Sequence, residues 1–131
     1  MAEVFRAKSF GVEGFERIVA VKRILPQMAE DEEFIKMFID EARIAMHLHH
    51  RNIVQTFDLD KADDTYFIAM EFVHGVNLYD VYERIAARQR WIELPLALYI
   101  IAEASKGLHF AHTRMGSEGK PLGIVHRDIS P

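Results

Sequence analysis

The hydrophobic pattern of this chain changes period at His74-Gly75. Before that point short Val-, Ile- and Phe-rich runs stand between turn residues, with one helical stretch among them; after it apolar residues recur every three or four positions. A chain that switches period once, part-way along, is restricted to an α+β architecture in which a β-rich half precedes a mainly helical half. Residues 2 to 10 and 15 to 24 read as two strands around the polar turn GVEG, a hairpin. Pro26 closes the second strand, and a helix opens in the acidic run Glu30 to Glu33, whose charges suit the positive end of a helix dipole. Its apolar stripe is Phe34, Met37/Phe38, Ile44/Ala45 and Leu48, and HLHHRN ends it. Strands over 53 to 59 and 65 to 73 follow, joined by the turn KADD, so the first 73 residues spell β-β-α-β-β. That is a small antiparallel sheet with one helix packed on it.

Beyond Asn77 the pattern predicts a short helix over 77 to 89 and a longer one from about 93 to 113, with Leu94, Leu98, Ile101 and Leu108 on its apolar stripe. MGSEGKPLG, 115 to 123, reads as an exposed loop, and the chain then runs IVHRDISP, an apolar, strand-like dipeptide followed by three polar residues. No repeats are found. The boundary between the halves falls at Val73–Asn77, giving 1–73 and 74–131 as the two parts.

Composition narrows the functional classes. With 16 Lys+Arg against 20 Asp+Glu, a net charge of −4, there is no electrostatic footprint for nucleic acid or an acidic membrane surface. The longest near-apolar run, Leu94 to Ala102, holds Pro95 and is far short of the roughly 20 residues a membrane span needs. Glu3 and Arg6 interrupt the start where an export signal needs a continuous apolar stretch, so a cytoplasmic protein is expected. Zero cysteines exclude disulfides and thiolate metal sites. His47, His49 and His50 lie close together, but with no cysteine or acidic partner at ligand spacing a metal site is disfavoured.

Two charges fall on faces that should be apolar. Strand alternation puts Lys22 with Ile18, Ala20 and Ile24. Helical periodicity puts Glu41 seven residues from Phe34 and Leu48, in the middle of the stripe, where an unpaired carboxylate is costly. Strand and helix must pack together, so one solution is that Lys22 and Glu41 pair; the other is that Lys22 snorkels to solvent and Glu41 lies at the edge of the stripe.

VAVK at 19 to 22, DEA at 40 to 42, HRNIV at 50 to 54, AMEFVHGVNL at 69 to 78 and HRDISP at 126 to 131 together resemble the protein kinases, in the family's order and across the whole chain. The resemblance is to the bacterial-type serine/threonine branch, which Pro131 and the opening MAEVFRAK resemble. It implies a small antiparallel lobe with one long helix, residues 1–73, and the hinge exit and beginning of a mainly helical large lobe, 74–131. It also implies ATP and Mg2+ as cofactors, a protein substrate as partner and transfer of the γ-phosphate to a serine or threonine hydroxyl. By the same resemblance Lys22 is the cation on the α- and β-phosphates, Glu41 holds that lysine, and Asp128 accepts the substrate hydroxyl's proton. Arg127 anchors the catalytic loop and receives an activation-loop phosphate if there is one, while His126 is packing under the site. Val4 and Ala20 cover the adenine, Met70 is the gatekeeper, backbone at Glu71 and Val73 meets the adenine edge, and Asn77 lies near the ribose. Without the resemblance Val4, Ala20 and Met70 read as ordinary core.

The departures are specific. The family's glycine-rich loop would lie before Met1, its metal-binding Asn two positions past Pro131, and its DFG segment further on, so these 131 residues alone are expected to be inactive. Ser130 stands where the serine/threonine branch usually has a lysine, and Arg51 replaces a common proline. The competing reading is a nucleotide-binding pseudokinase or scaffolding module without transfer activity.

Overall fold

The computed structural model describes residues 2–116 and 118–130. Two compact units are present, Met1–His49 with Ile53–Val73, and His50–Asn52 with His74–Pro131.

In the first unit, strands β1 (Ala2–Phe10) and β2 (Glu16–Ile24) pair antiparallel from Ala2↔Ile24 to Phe10↔Glu16. Their connection turns back through Glu13 at φ 58° and Gly14 at φ 79°, and glycine enters that left-handed region without steric cost. Helix α1 (Glu32–Ala45) starts one residue after Asp31, whose carboxylate accepts from the amides of Glu33 at 3.0 Å and Phe34 at 3.1 Å. Glu32 and Glu33 then sit at the positive end of the dipole. Strands β3 (Thr56–Ala62) and β4 (Thr65–Glu71) complete a four-stranded antiparallel sheet of order β1-β2-β4-β3.

The β3/β4 hairpin is displaced from its expected place. Asp63 and Asp64 both take left-handed φ, 45° and 62°, the requirement of a two-residue turn matched to strand twist. Lys61 and Ala62, expected in the turn, therefore pair with Tyr66 and Thr65. At the other end β3 begins at Thr56 rather than 53, and Phe57 is an extra residue between Thr56 and Asp58, a bulge. β4 stops at Glu71.

The core lies between one sheet face and α1: Ile24 and Ile68 meet Phe38 and Ala42, flanked by Phe34, Ile35, Leu59 and Tyr66. The buried line of α1 is thus turned relative to the expected stripe. Met37 and Ile44 are exposed, and Glu41 lies at the edge of the buried line.

In the second unit α2 (Leu78–Ala86) is capped by Asn77, whose Oδ1 accepts from the Asp80 amide at 2.7 Å. It ends where Gln89, at φ 53°, lets the Arg90 amide return to the Ile85 carbonyl at 3.2 Å. Helix α3 (Leu94–His112) has Pro95 in its first turn, where its missing amide costs nothing, and is buried only at Gly107 and Ala111. Asn52 donates from Nδ2 to the Glu103 carbonyl at 2.8 Å and to its carboxylate at 2.9 Å, while the His50 and Phe110 rings lie 5.1 Å apart. That is why His50–Asn52 belong with this unit. The Ile124-Val125 dipeptide forms no strand: Ile124 is half-buried, Val125 exposed, and the backbone from Leu122 to Ser130 is irregular. Among the described residues no helix is long and apolar enough to cross a membrane.

Candidate functional site

Lys22 lies on β2 between Val4 of β1 and Ile68 of β4, on the face that carries Ile24 and packs on α1. Its stem runs beside the core, with Nζ 5.7 Å from the centre of the Phe38 ring. Nζ reaches Glu41 Oε1 on α1 at 2.5 Å. The side chains are 27% and 57% exposed, so the expectation of a carboxylate in the middle of the stripe is corrected: Glu41 is a rim residue. An ion pair this open to water contributes at most about 1 kcal/mol to stability, and burial does not force it. It orients Lys22 across the sheet face instead of letting it extend to solvent.

One row further along, Ala20 stands opposite Met70, on the same face as Val4 and Lys22. Ala20 is buried, Met70 half-buried and Val4 64% exposed. The row ends at the strand exit. Glu71 donates its amide to the Gln55 carbonyl at 2.8 Å, so its carbonyl is what it can still offer a ligand. Val73, beyond the strand, is exposed.

The remaining predicted residues belong to the second unit. Asn77 uses Oδ1 as the cap of α2, which leaves its Nδ2 for any other partner. In HRD the Asp128 amide donates to His126 Nδ1 at 3.3 Å, which ties the loop to itself. Arg127 has φ 63°, a left-handed backbone uncommon outside glycine and found disproportionately at functional loops. The Arg127 and Asp128 side chains are exposed. Pro131 and Met1 lie outside the described residues, so the features read from them have no structural description.

Two contacts escaped the reading of the sequence. Asn52 and Lys106 both hydrogen-bond Glu103; Lys106 first and Asn52 second hold its carboxyl below the usual carboxylate range. The other is Arg6, whose guanidinium lies 5.5 Å from the centre of the Phe72 ring. HRN and MEF carry these residues in plain view, but nothing in local periodicity links positions 51 or 66 apart. Among the described residues no group of three His, Asp or Glu could hold a metal ion, so the residues described do not by themselves make a magnesium site.

The sequence matches the protein kinase domain over residues 2–131. The chain belongs to the protein kinase family. It is 46% identical over 132 residues to the tyrosine-protein kinase MasK of Myxococcus xanthus, covering all of this chain and 20% of that protein. To the serine/threonine-protein kinase PrkC of Bacillus subtilis it is 37% identical over 131 residues, covering all of this chain and 18% of that one. The crystal structure of the PknI kinase domain of Mycobacterium tuberculosis superposes with a TM-score of 0.71 at 30% identity, over 100% of this chain and 48% of that one. The chain therefore spans about a fifth of the curated relatives it matches. The four-stranded sheet with α1 is the small-lobe arrangement of the kinase fold, and the family generally works with ATP and Mg2+.

Proposed function

We propose that the protein containing this chain transfers the γ-phosphate of ATP to a serine or threonine hydroxyl of a protein substrate, in the cytoplasm, where ATP is at hand. The observation that carries this reading is the Lys22–Glu41 pair on the sheet face shared by Val4, Ala20 and Met70. Phosphoryl transfer asks of the protein chiefly positioning and electrostatic stabilisation. Lys22, held by Glu41, is a fixed cation for the α- and β-phosphates. Val4 and Ala20 supply apolar cover for the adenine, Met70 bounds the back of its slot, and the Glu71 carbonyl and Val73 amide face its edge. Asn77 serves the ribose through Nδ2. Asp128 orients the attacking hydroxyl and takes its proton, and Arg127 anchors the loop that carries Asp128. In this assignment 1–73 are the small lobe and 74–131 the start of the large one. Bound magnesium would neutralise phosphate charge. Because the resemblance places magnesium ligands after residue 131, a polypeptide of these 131 residues assayed alone is expected to show no transfer.

The test is transfer of labelled γ-phosphate by the natural-length protein. Lys22→Met and Asp128→Asn should each lower turnover by at least about a hundredfold without unfolding it. Retained turnover in either sinks the assignment of that residue, and no ATP binding by the unaltered protein sinks the reading. MasK, a relative named a tyrosine kinase, favours a second reading, in which the acceptor is a tyrosine hydroxyl. Identifying the phosphorylated residue type in the product decides between them.

A further inference from the structure

One cation on the proposed nucleotide face has no part in the assignment above. Arg6 stands opposite Ala20 in the β1/β2 register, and Ala20 stands opposite Met70 in the β2/β4 register. Arg6, Ala20 and Met70 therefore form one row across three strands, on the face of Lys22. Phe72 follows Met70 by two residues and continues that face just beyond the end of β4. β1 and β4 are not neighbours; β2 lies between them, so they are about 10 Å apart. The Arg6 side chain nevertheless brings its guanidinium 5.5 Å from the centre of the Phe72 ring. It must pass over β2 to do so.

This contact joins β1 to the segment just after β4, two parts of the sheet that have β2 between them. Among the described residues β1 is an edge strand, bonded to β2 alone. Phe72 sits between Glu71 and Val73, where the chain has left the ladder. Tying the Phe72 ring to β1 fixes the separation and pitch of the segment on either side of it. We propose that Arg6 is a positioning residue for the nucleotide: its guanidinium, stacked on Phe72, holds the Glu71–Val73 backbone at the distance from Val4 and Ala20 that an adenine ring requires. The inference rests on the nucleotide-binding reading above and adds to it a residue that touches the protein rather than the reaction.

A clamp of this kind acts on ATP binding and leaves the transfer step alone. In the natural-length protein Arg6→Ala should raise KM for ATP about two- to five-fold, the range an exposed cation–aromatic contact supports, with kcat within about twofold of the original. Arg6→Lys, which keeps a cation over the ring, should restore most of the affinity. Phe72→Leu should match Arg6→Ala, and the double substitution should be no worse than either single one, because both remove the same contact. Turnover with an unchanged KM in Arg6→Ala, or additive effects in the double variant, overturns the clamp while leaving the kinase reading standing. A loss of kcat without change in KM overturns it too. An unaltered protein that neither binds nor consumes ATP overturns the kinase reading and the clamp with it.

Discussion

Glu41 separates two things an ion pair can do. Its carboxylate is more than half exposed, so removing its charge forfeits little folding energy, yet it is the group that holds the Lys22 ammonium in place on the sheet face. Glu41→Gln is therefore expected to shift unfolding free energy by less than about 1 kcal/mol in urea titration. Under the kinase reading the same variant should lose at least about tenfold in phosphate transfer. A large stability loss would mean that the pair is structural. Strand alternation and helix periodicity left a Lys22–Glu41 pair as one of two solutions, and the structure forms it. The exposure of Glu41 was not legible, because Met37 and Ile44 extend the apparent stripe while the packed line runs through Phe34, Ile35, Phe38 and Ala42. Glu103 carries a second, titratable contact of this kind. Hydrogen bonds from Lys106 and Asn52 lower its pKa in the folded protein. The folded state thus binds that proton less readily than the unfolded one. The stabilisation is complete above the unfolded-state pKa and lost as pH falls through the folded value. Unfolding midpoints compared at neutral pH and below the usual carboxylate range should fall further for the natural protein than for Glu103→Gln, and equal falls would show that the contact does not matter.

At the level of single elements, α1 depends on its start and its packed line to different degrees. Asp31 satisfies two amides that the first turn leaves without helical partners, and Asp31→Ala should cost about 1 kcal/mol, within the roughly 0.5–2 kcal/mol range for such caps. Phe38, 3% exposed in the middle of the core, should cost about 3–5 kcal/mol when cut to Ala, a large share of the roughly 5–15 kcal/mol that stabilises an ordinary domain. If the two losses are alike in equilibrium denaturation, the helix is not held mainly by its packing. The acidic run marked this helix because dipole and cap chemistry are local. The β3/β4 turn was read from local residues as well, but two adjacent left-handed aspartates close it more tightly than KADD suggested and lengthen both flanking pairings. The bulge at Phe57 shifts β3 by one residue against β4, so that Thr56 and Asp58 face the adjacent residues Met70 and Ala69, and a shift against a partner strand is not written in the pattern of either strand alone. Phe57 also takes the Arg17 guanidinium 3.7 Å from its ring centre, another contact between strands that are not neighbours.

Across the whole molecule burial is distributed unevenly. The first unit holds Val19, Ala20, Ile24, Phe38, Ala42, Leu48 and Ile68, each with at most 9% of its surface exposed, whereas α3 is buried only at Gly107 and Ala111. Leu94, Leu98 and Ile101 are 69%, 58% and 62% exposed, while Leu108, beside the two buried positions, is half-buried. Each large apolar side chain left in water forgoes roughly 1.5–3 kcal/mol relative to burial. Three such residues together therefore approach the lower end of the 5–15 kcal/mol that stabilises a whole domain. A polypeptide of these 131 residues should accordingly show graded hydrogen exchange, since protection follows the local density of buried contacts. Amides of β2, β4 and α1 should be the slowest. Those of α2 and the first half of α3 should exchange faster by at least about tenfold, with the Gly107–Ala111 turn between the two groups. Apolar surface of this extent also promotes self-association, so the measurement belongs at low concentration, with the monomer verified by sedimentation. Uniformly slow exchange along Leu94–His112 in the monomer would show that the helix finds cover among these residues, and would overturn the unequal partition of stability between the two units.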